Sequence, residues 1–389
     1  MNTPAAVLVS ARRSAIGRVG GLHRSRRIEE LAEPVLRAAL DDAGCKSSQV
    51  NGIILGNTTA CNKAARAMGL AAGLLEASYA VTLDSQCASG LDAIVDAARR
   101  IAAGEAECLI AGGAESISTA PWRIGRPKNP YQMPHFIGYH APGTEAGGGA
   151  EAFEADEMLA RQLDISRGAQ DAYVMHAQLI TEQARERRQF VGEIVGQRAT
   201  PEEMRDQTAP DLDLDELQDL QPYQPGDGTL TPGNTSALAD GAAFAVLVSG
   251  RMWEALGRPK GLVLQRSHAC GVTMDNAASA GRFALDALLQ KGATKAARDP
   301  AMLAAIETSE ASAAEALALV RGLKLADGVL NSSGGAVVRG QPLGAASAVC
   351  VVRLFSRLVR AEVPSGRLGA VTQRATGGLG LAALFEAVG

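Results

Sequence analysis

Short apolar runs rich in β-branched residues alternate with longer segments whose apolar residues recur at helical spacing, and this alternation limits the possible folds most strongly. In the first half of the chain, strand-like runs and the helix-like segments between them lie at residues 5–10, 28–43, 52–56, 63–74, 79–83, 88–103, 108–113 and 244–249. Strands joined through helices need right-handed crossovers. The pattern therefore predicts an α/β fold with a mostly parallel sheet that helices cover on both faces.

The second half of the chain repeats this order. Its strand-like and helix-like segments lie at residues 261–266, 277–291, 303–307, 311–321, 344–358, 368–373 and 381–387. Hydrophobic residues make up 47% of the chain but aromatic residues only 4%, and the 43 glycines let helices lie close to a sheet. We therefore expect two duplicated halves, each with a five-stranded mixed sheet, stacked with helices between the sheets.

The middle of the chain differs from both halves in amino-acid composition. Residues 118–233 are richer in proline, glycine, glutamine and charge, and they contain a helical segment at 165–188 that Asp164 or Ser166 can cap. Such an insertion often covers a ligand site, and we expect it to lie over the first half. The predicted domains are residues 1–117 with 234–258, an inserted loop domain at 118–233, and residues 259–389.

Charge and cysteine content exclude several classes of function. The net charge of −4 does not provide the excess of basic residues that is typical of nucleic-acid-binding proteins. The 6 cysteines show no CxxC or Cys/His spacing, which argues against a metal site and a disulfide framework. The N-terminal residues lack the pattern of a signal peptide, and no apolar run reaches the roughly 20 residues of a membrane span. We therefore expect a cytoplasmic protein with no membrane contact.

Cys87 is the candidate nucleophile. It lies in the segment Asp-Ser-Gln-Cys-Ala-Ser-Gly at residues 84–90, where a strand ends and a helix begins. Unpaired N–H groups at a helix start are expected to lower the pKa of a thiol, and the thiolate is the form that attacks a thioester. The alternative is a buried structural cysteine, because cysteine is among the residues most often found in protein interiors.

Five ordered segments resemble motifs of the thiolase superfamily. Residues 85–91 (Ser-Gln-Cys-Ala-Ser-Gly-Leu) and 111–118 (Ala-Gly-Gly-Ala-Glu-Ser-Ile-Ser) resemble its nucleophile segment and the strand that follows. Residues 233–243, which begin Gly-Asn-Thr-Ser, and the loop at 330–345 resemble two further family motifs, and residues 11–17 resemble its opening Arg-Thr-Pro-Ile-Gly. The resemblance runs from residue 5 to the C-terminus.

The resemblance implies a fold, an activity and partners. The fold would be two βαβαβαββ halves in five α-β-α-β-α layers, with a loop domain that covers a coenzyme A site. The activity would be acyl transfer through a Cys87 thioester, with acyl-CoA as substrate, no separate cofactor, and a homodimer or homotetramer as the assembly. Ser236 would touch the pantetheine arm, His140 would line the tunnel, and the backbone near Gly378 would donate to an oxyanion.

Three positions depart from the family pattern. Gln341 replaces the histidine that activates the nucleophile, Ser309 replaces an asparagine that orients a water, and Arg374 aligns with the second cysteine, which removes the α-proton. Glutamine cannot take up a proton at neutral pH, and arginine stays protonated. We therefore do not expect ordinary condensation of two acetyl-CoA molecules. The replacements do not prevent acylation of Cys87.

Three interpretations follow. The protein could be an acyltransferase that loads Cys87 and passes the acyl group to another acceptor, or a non-catalytic subunit that binds acyl-CoA. Alternatively, the fold could serve an unrelated ligand, because fold does not fix function. The intact nucleophile segment favours the first interpretation, and the three replacements favour the second.

Overall fold

The computed structural model describes residues 4–60, 63–129, 131–137, 153–196, 200–207, 212–292 and 299–389. In this part of the chain the strands are β1 (Ala6–Ser14), β2 (Gly17–Arg18), β3 (Gly52–Gly56), β4 (Tyr79–Leu83), β5 (Cys108–Glu115), β6 (Ile124–Gly125), β7 (His135–Phe136), β8 (Ile194–Val195), β9 (Ala239–Ser249), β10 (Gly261–Gly271), β11 (Ala305–Glu307), β12 (Leu368–Ala375) and β13 (Leu379–Val388).

The described helices are α1 (Ile28–Ala43), α2 (Ala64–Ala71), α3 (Ser89–Ala102), α4 (Glu154–Gln162), α5 (Arg167–Glu186), α6 (Leu214–Asp219), α7 (Gly250–Ala255), α8 (Ala280–Gln290), α9 (Ala313–Leu323), α10 (Ala336–Arg339) and α11 (Leu343–Phe355). The bounds of α1, β3 and β4 agree with those predicted from apolar spacing. None of these helices is long and apolar enough to cross a bilayer.

The strands follow the order β4-β3-β5-β9-β1-β10-β13-β12-β11. The two halves meet at β1 and β10, where the pairing consists of Leu8 with Leu262. The prediction of two separate sheets was therefore wrong, because the edge strands of the two halves are joined. The strand order β4-β3-β5-β9-β1 of the first half has a counterpart in the second half. There β11, β12, β13 and β10 correspond to β3, β5, β9 and β1, and a parallel bridge from Ile306 to Leu330 puts a further segment beside β11, in the place of β4.

The strand directions are mixed. β3 runs parallel to β4 and β5, and β11 runs parallel to β12. β9 and β13 each run antiparallel to both of their neighbours. The prediction of a mostly parallel sheet was wrong, because β13 follows β12 through a tight turn, and a tight turn can join only antiparallel strands.

The layers agree with the predicted α-β-α-β-α arrangement. Residues of α3 and α11 share one apolar core with strands from both halves, so these two helices form the central layer. α1 and α2 cover the outer face of the first half, and α8 and α9 cover the outer face of the second. Small residues permit the close approach: a Cβ on Gly113 would lie 2.1 Å from the carbonyl oxygen of Gly344 at the start of α11.

The described helices of the middle stretch pack on the second half. Leu159 of α4 shares a core cluster with Ala314 of α9, and Val174 of α5 shares one with Val337 of α10. The expectation that this stretch lies over the first half was wrong for these helices, because their apolar faces meet α9 and α10. At the start of α5, Ser166 is the cap, since its Oγ accepts from the amide of Ala169 at 3.3 Å.

Candidate active site

Cys87 lies in a tight turn between β4 and α3. A 3₁₀ turn spans Gln86–Ala88, Gln86 has a left-handed φ of 53°, and the α-helix begins only at Ser89. Two contacts fix the turn: Asp84 Oδ1 accepts from the Gln86 amide at 3.0 Å, and Ser89 Oγ donates to the Gln86 carbonyl at 2.6 Å. The turn packs against α11 and β12, which brings Cys87 to residues of the second half.

Burial controls the ionisation of Cys87. The residue is 8% exposed, and desolvation raises the pKa of its thiol to about 11, with the nearby carboxylates of Glu315 and Glu115 adding to the rise. The Arg374 cation opposes this shift. The prediction that a helix start would lower the pKa of Cys87 was therefore wrong, because loss of water outweighs the favourable charges around the thiol.

This ionisation gives a pH-dependent prediction for alkylation. Because only the thiolate reacts, the rate at which iodoacetamide modifies Cys87 should rise about tenfold per pH unit from pH 7 to pH 10. A lowered pKa would make Cys87 the fastest cysteine to react, but with its raised pKa the half-buried Cys270 should react before it at neutral pH. Peptide mass spectrometry over time resolves the two sites, with Cys87→Ser as the control. A rate for Cys87 that levels off below pH 8 would show that the thiol ionises far more readily.

Gln341, Ser309 and Gln373 form one hydrogen-bonded group. Gln341 Nε2 donates to the Ser309 carbonyl at 3.0 Å, and Gln373 Nε2 donates to the same carbonyl at 3.0 Å. The Ser309 amide donates to Gln373 Oε1 at 3.2 Å. The backbone of Gln341 is fixed as well, since its amide donates to the Ala237 carbonyl at 2.8 Å. All three side chains are buried, so this group is held rigidly beside the second half's sheet.

Two carboxylates hold Arg374 in place. Its Nε donates to Glu315 at 2.8 Å, and its Nη2 donates to Asp156 at 2.6 Å. Ser312, the cap of α9, donates to Asp156 at 2.5 Å and accepts from the Glu315 amide at 3.1 Å. Burial works against the cation, but Asp156 and Glu315 outweigh it and raise the pKa of Arg374 above its ordinary value. Arg374 is therefore a permanent, fixed positive charge that acts on Cys87.

Two further carboxyl groups are buried in the motif segments. Glu115 accepts from Asn57, Thr58 and the Gly344 amide at 2.7 to 3.0 Å, and it thereby ties the nucleophile half to the start of α11. Burial raises the pKa of Glu115. Glu310 accepts from Asn331 at 2.8 Å, and burial raises its pKa to about 7.

Of the three residues predicted to contact coenzyme A, Ser236 and Gly378 lie in the described part of the chain. Ser236 Oγ donates to the Glu310 carbonyl at 2.5 Å, so its hydroxyl is engaged with the loop that carries Ser309. Gly378 lies in the turn between β12 and β13 with φ of 75°, and a Cβ there would lie 2.6 Å from the Val272 carbonyl oxygen, so the position needs glycine. His140 lies outside the described residues.

The structure thus brings Arg374 close enough to act on the Cys87 thiol, although the two residues lie more than 200 positions apart in the sequence. Gln341 and Ser309 are linked by hydrogen bonds to Gln373, the neighbour of Arg374 in β12. Among the described residues, the charged groups that act on the Cys87 thiol are Arg374, Glu315 and Glu115, and none of them is a histidine. Within the described ranges, no group of three His, Cys, Asp or Glu side chains could hold a metal ion. The described part of the site therefore supplies a nucleophile and fixed charges but no neutral histidine base.

The two carboxylate partners of Arg374 were not predicted from the sequence. Glu315 carries a local signal, because Ser312 and Glu315 have the spacing of a capping box at the start of α9. Asp156 carries none, since it belongs to α4, and only the packing of α4 on α9 brings it to Arg374. Gln373 was also missed, although it neighbours Arg374 in β12.

Comparison with known families agrees with this geometry. Residues 6–251 match the family described as "Thiolase, N-terminal domain", and residues 263–387 match "Thiolase, C-terminal domain". Together the two matches span nearly the whole chain.

Similar proteins and structures point the same way. "Putative acetyl-CoA C-acetyltransferase VraB" of Staphylococcus epidermidis is 31% identical over 388 residues, which cover 98% of each chain. The crystal structure of the Bacillus anthracis acetyl-CoA acetyltransferase superposes with a TM-score of 0.89 at 28% identity over 99% of each chain. Human mitochondrial 3-ketoacyl-CoA thiolase, solved in complex with CoA, superposes with a TM-score of 0.88 at 26% identity over 98% of each chain. The chain therefore belongs to the thiolase family.

Proposed function

We propose that this protein is an acyltransferase in which Cys87 accepts an acyl group from acyl-CoA. The Cys87 sulfur attacks the thioester carbonyl, a new thioester forms on Cys87, and the bond to the coenzyme A sulfur breaks. The proton from the Cys87 thiol ends on the departing coenzyme A thiolate. Atoms and charge therefore balance without any further reactant.

The observation that carries this proposal is the buried Cys87 turn facing a fixed cation. Burial makes the resting thiol a poor nucleophile, because the pKa of Cys87 is raised to about 11 even with the Arg374 cation nearby. Arg374 opposes this rise, and its charge is permanent because Asp156 and Glu315 hold it. The same positive charge would also stabilise negative charge that develops during attack on the carbonyl.

Gln341 and Ser309 would position groups rather than transfer protons. The Gln341 side chain can donate and accept hydrogen bonds, but it cannot act as the base that the family histidine provides. Ser309 is fixed through its backbone by Gln341 and Gln373. Loading of Cys87 would therefore be slow, and a condensation that needs an α-proton base would be slower still.

Coenzyme A is the proposed partner. The Ascaris suum Acat5 thiolase was solved in complex with coenzyme A, and it superposes with a TM-score of 0.86 at 27% identity. In this chain we assign the loop domain of residues 118–233 to cover the ligand, with Ser236, His140 and the Gly378 backbone as contacts. Residues 1–117 with 234–258, and residues 259–389, would form the two thiolase halves. A homodimer or homotetramer in the cytoplasm is the proposed form.

A second candidate is a non-catalytic subunit that binds acyl-CoA. The observation that favours it is the raised pKa of Cys87 in a site where Gln341 and Arg374 replace proton acceptors. In that case the site would hold the ligand without forming a bond to it.

Intact-mass spectrometry separates the two candidates. After incubation with acetyl-, butyryl- or a longer acyl-CoA, we expect a mass increase of one acyl group, located on the Cys87 peptide and absent in Cys87→Ser. Bound acyl-CoA should also slow alkylation of Cys87. If coenzyme A binds without an adduct and without protecting the thiol, the acyltransferase proposal fails and the binding subunit takes its place.

A further inference from the structure

A cleft rich in arginine lies at the end of α11 that is remote from Cys87. Its volume is about 420 Å³, and Arg188, Arg353, Arg357 and Arg360 contribute four cations to its lining. We call it the arginine cleft. α11 begins at Leu343 beside the Cys87 turn, and with a rise of about 1.5 Å per residue Arg353 lies roughly 15 Å further along the helix axis. The cleft is therefore separate from the candidate active site.

The backbone beside the arginine cleft departs from regular α-helical geometry. After Phe355, α11 continues as a π-helical turn at Ser356–Arg360. Such turns are rare, and they are frequent at functional sites because they redirect side chains out of the regular helix. Here the turn carries Ser356, Arg357 and Arg360 to the cleft.

The charges around the cleft do not balance. Arg353 pairs with Glu193, and Arg357 lies 3.5 Å from Glu307. Glu193 is already shared, since it also pairs with Arg13. Neither Arg188 nor Arg360 has a carboxylate within ion-pair distance among the residues that the structure describes.

In the described segments, Arg360 forms hydrogen bonds only to neutral groups. Its Nη1 donates to Ser356 Oγ at 2.8 Å, and its Nη2 donates to the Ala11 carbonyl. Burial lowers the pKa of Arg360 to about 10; the charges of Glu193 and Asp42 oppose this shift, and those of Arg12 and Arg353 add to it. A desolvated cation among other cations is stabilised by an anion.

A buried donor in the cleft also lacks a partner. Arg353 is 1% exposed, and within the described part of the chain its Nε has no hydrogen-bond acceptor, although its Nη atoms bond to Glu193 and Ser333. Nearly all buried polar groups are hydrogen-bonded, so an exception calls for an acceptor that the protein itself does not provide.

We propose that the arginine cleft binds a phosphate group, carried by inorganic phosphate or by a small phosphomonoester. A dianion matches the surplus charge of Arg188 and Arg360, and it offers several acceptor oxygens to guanidinium groups, whose planar forks suit phosphate. Arg353, whose Nε has no partner among the described residues, lines the same cleft. The volume leaves room for a substituent on the phosphate.

Calorimetric titration at constant ionic strength tests this proposal. The probes are inorganic phosphate and glycerol 3-phosphate, and sodium chloride is the control for unspecific screening. We expect saturable binding to the unmodified protein that weakens about tenfold or more in Arg188→Gln, because a charge-assisted bond is lost. Arg360→Gln should weaken it as well. Arg24→Gln, which changes an exposed arginine elsewhere, should bind like the unmodified protein.

The exposed position of Arg188 keeps the test independent of folding, because its replacement leaves the core untouched. Binding of phosphate alone would identify the free ion as the ligand, and tighter binding of glycerol 3-phosphate would identify a phosphomonoester. No saturable heat with either probe, or equal binding by Arg188→Gln and Arg360→Gln, would overturn the proposal. Stoichiometric displacement of phosphate by coenzyme A would overturn it too, since the cleft would then belong to the coenzyme A site.

Discussion

Thiolysis of acetoacetyl-CoA by this protein should be at least about 10⁴-fold slower than by a thiolase that retains the histidine and the second cysteine. Loss of one general base typically costs about 10²–10⁴ in rate, and Gln341 and Arg374 replace two. The Arg374 guanidinium cannot accept a proton, because Asp156 and Glu315 raise its pKa further. Consumption of acetoacetyl-CoA in the presence of coenzyme A, followed by chromatography, measures the rate.

Single and combined replacements locate the cause. Gln341→His alone should leave thiolysis slow, because Arg374 still cannot take the α-proton. Adding Arg374→Cys should help only when Asp156→Asn and Glu315→Gln are also present, since two unpaired carboxylates beside a thiol would oppose its ionisation. Cys87→Ser is the inactive control. Turnover by the unmodified protein at the rate of an intact thiolase would mean that another group serves as the base.

Replacement of Arg374 by methionine should lower the free energy of unfolding by about 3–5 kcal/mol, because it leaves two buried carboxylates without their counter-ion. Asp156 is 0% exposed and Glu315 is 7% exposed, so water can compensate for little of this loss. Urea unfolding followed by circular dichroism at pH 8 measures the change. The contacts join α4, α9 and β12, so the loss should affect the packing of the loop domain on the second half.

The pH dependence of this variant distinguishes charge from packing. Burial raises the pKa of Glu315 even with Arg374 present, and loss of the cation should raise it further above its unfolded value. The folded variant then binds more protons than the unfolded chain, so its deficit in stability should shrink as the pH falls from 8 to 5. Arg251→Met is the matched control, since Arg251 forms an exposed ion pair with Glu107 and should change stability little. A deficit that stays constant with pH would assign the effect to packing alone.

Much of the fold could be predicted from local sequence. The apolar spacing of residues 28–43 predicts α1 with its observed bounds, because an amphipathic helix and its left-handed glycine cap at Gly44 are properties of one short segment. The order of strands and helices predicts the layers, and the ordered motifs around Cys87 and Gly335 predict the family. Strand direction was less predictable, since β9 and β13 take their places beside β1 and β10 through pairings remote in sequence.

The sequence by itself determined which groups are present at the candidate site: a thiol at Cys87, and at Gln341 and Arg374 two side chains that cannot accept a proton. Only the tertiary structure decided how these groups behave. Burial of the Cys87 turn under α11 and β12 raises the pKa of a thiol that a helix start alone would lower. The packing of α4 on α9 brings Asp156 to Arg374 and turns an isolated arginine into a fixed cation. Desolvation and long-range pairing depend on every layer at once, and no local pattern of residues encodes them.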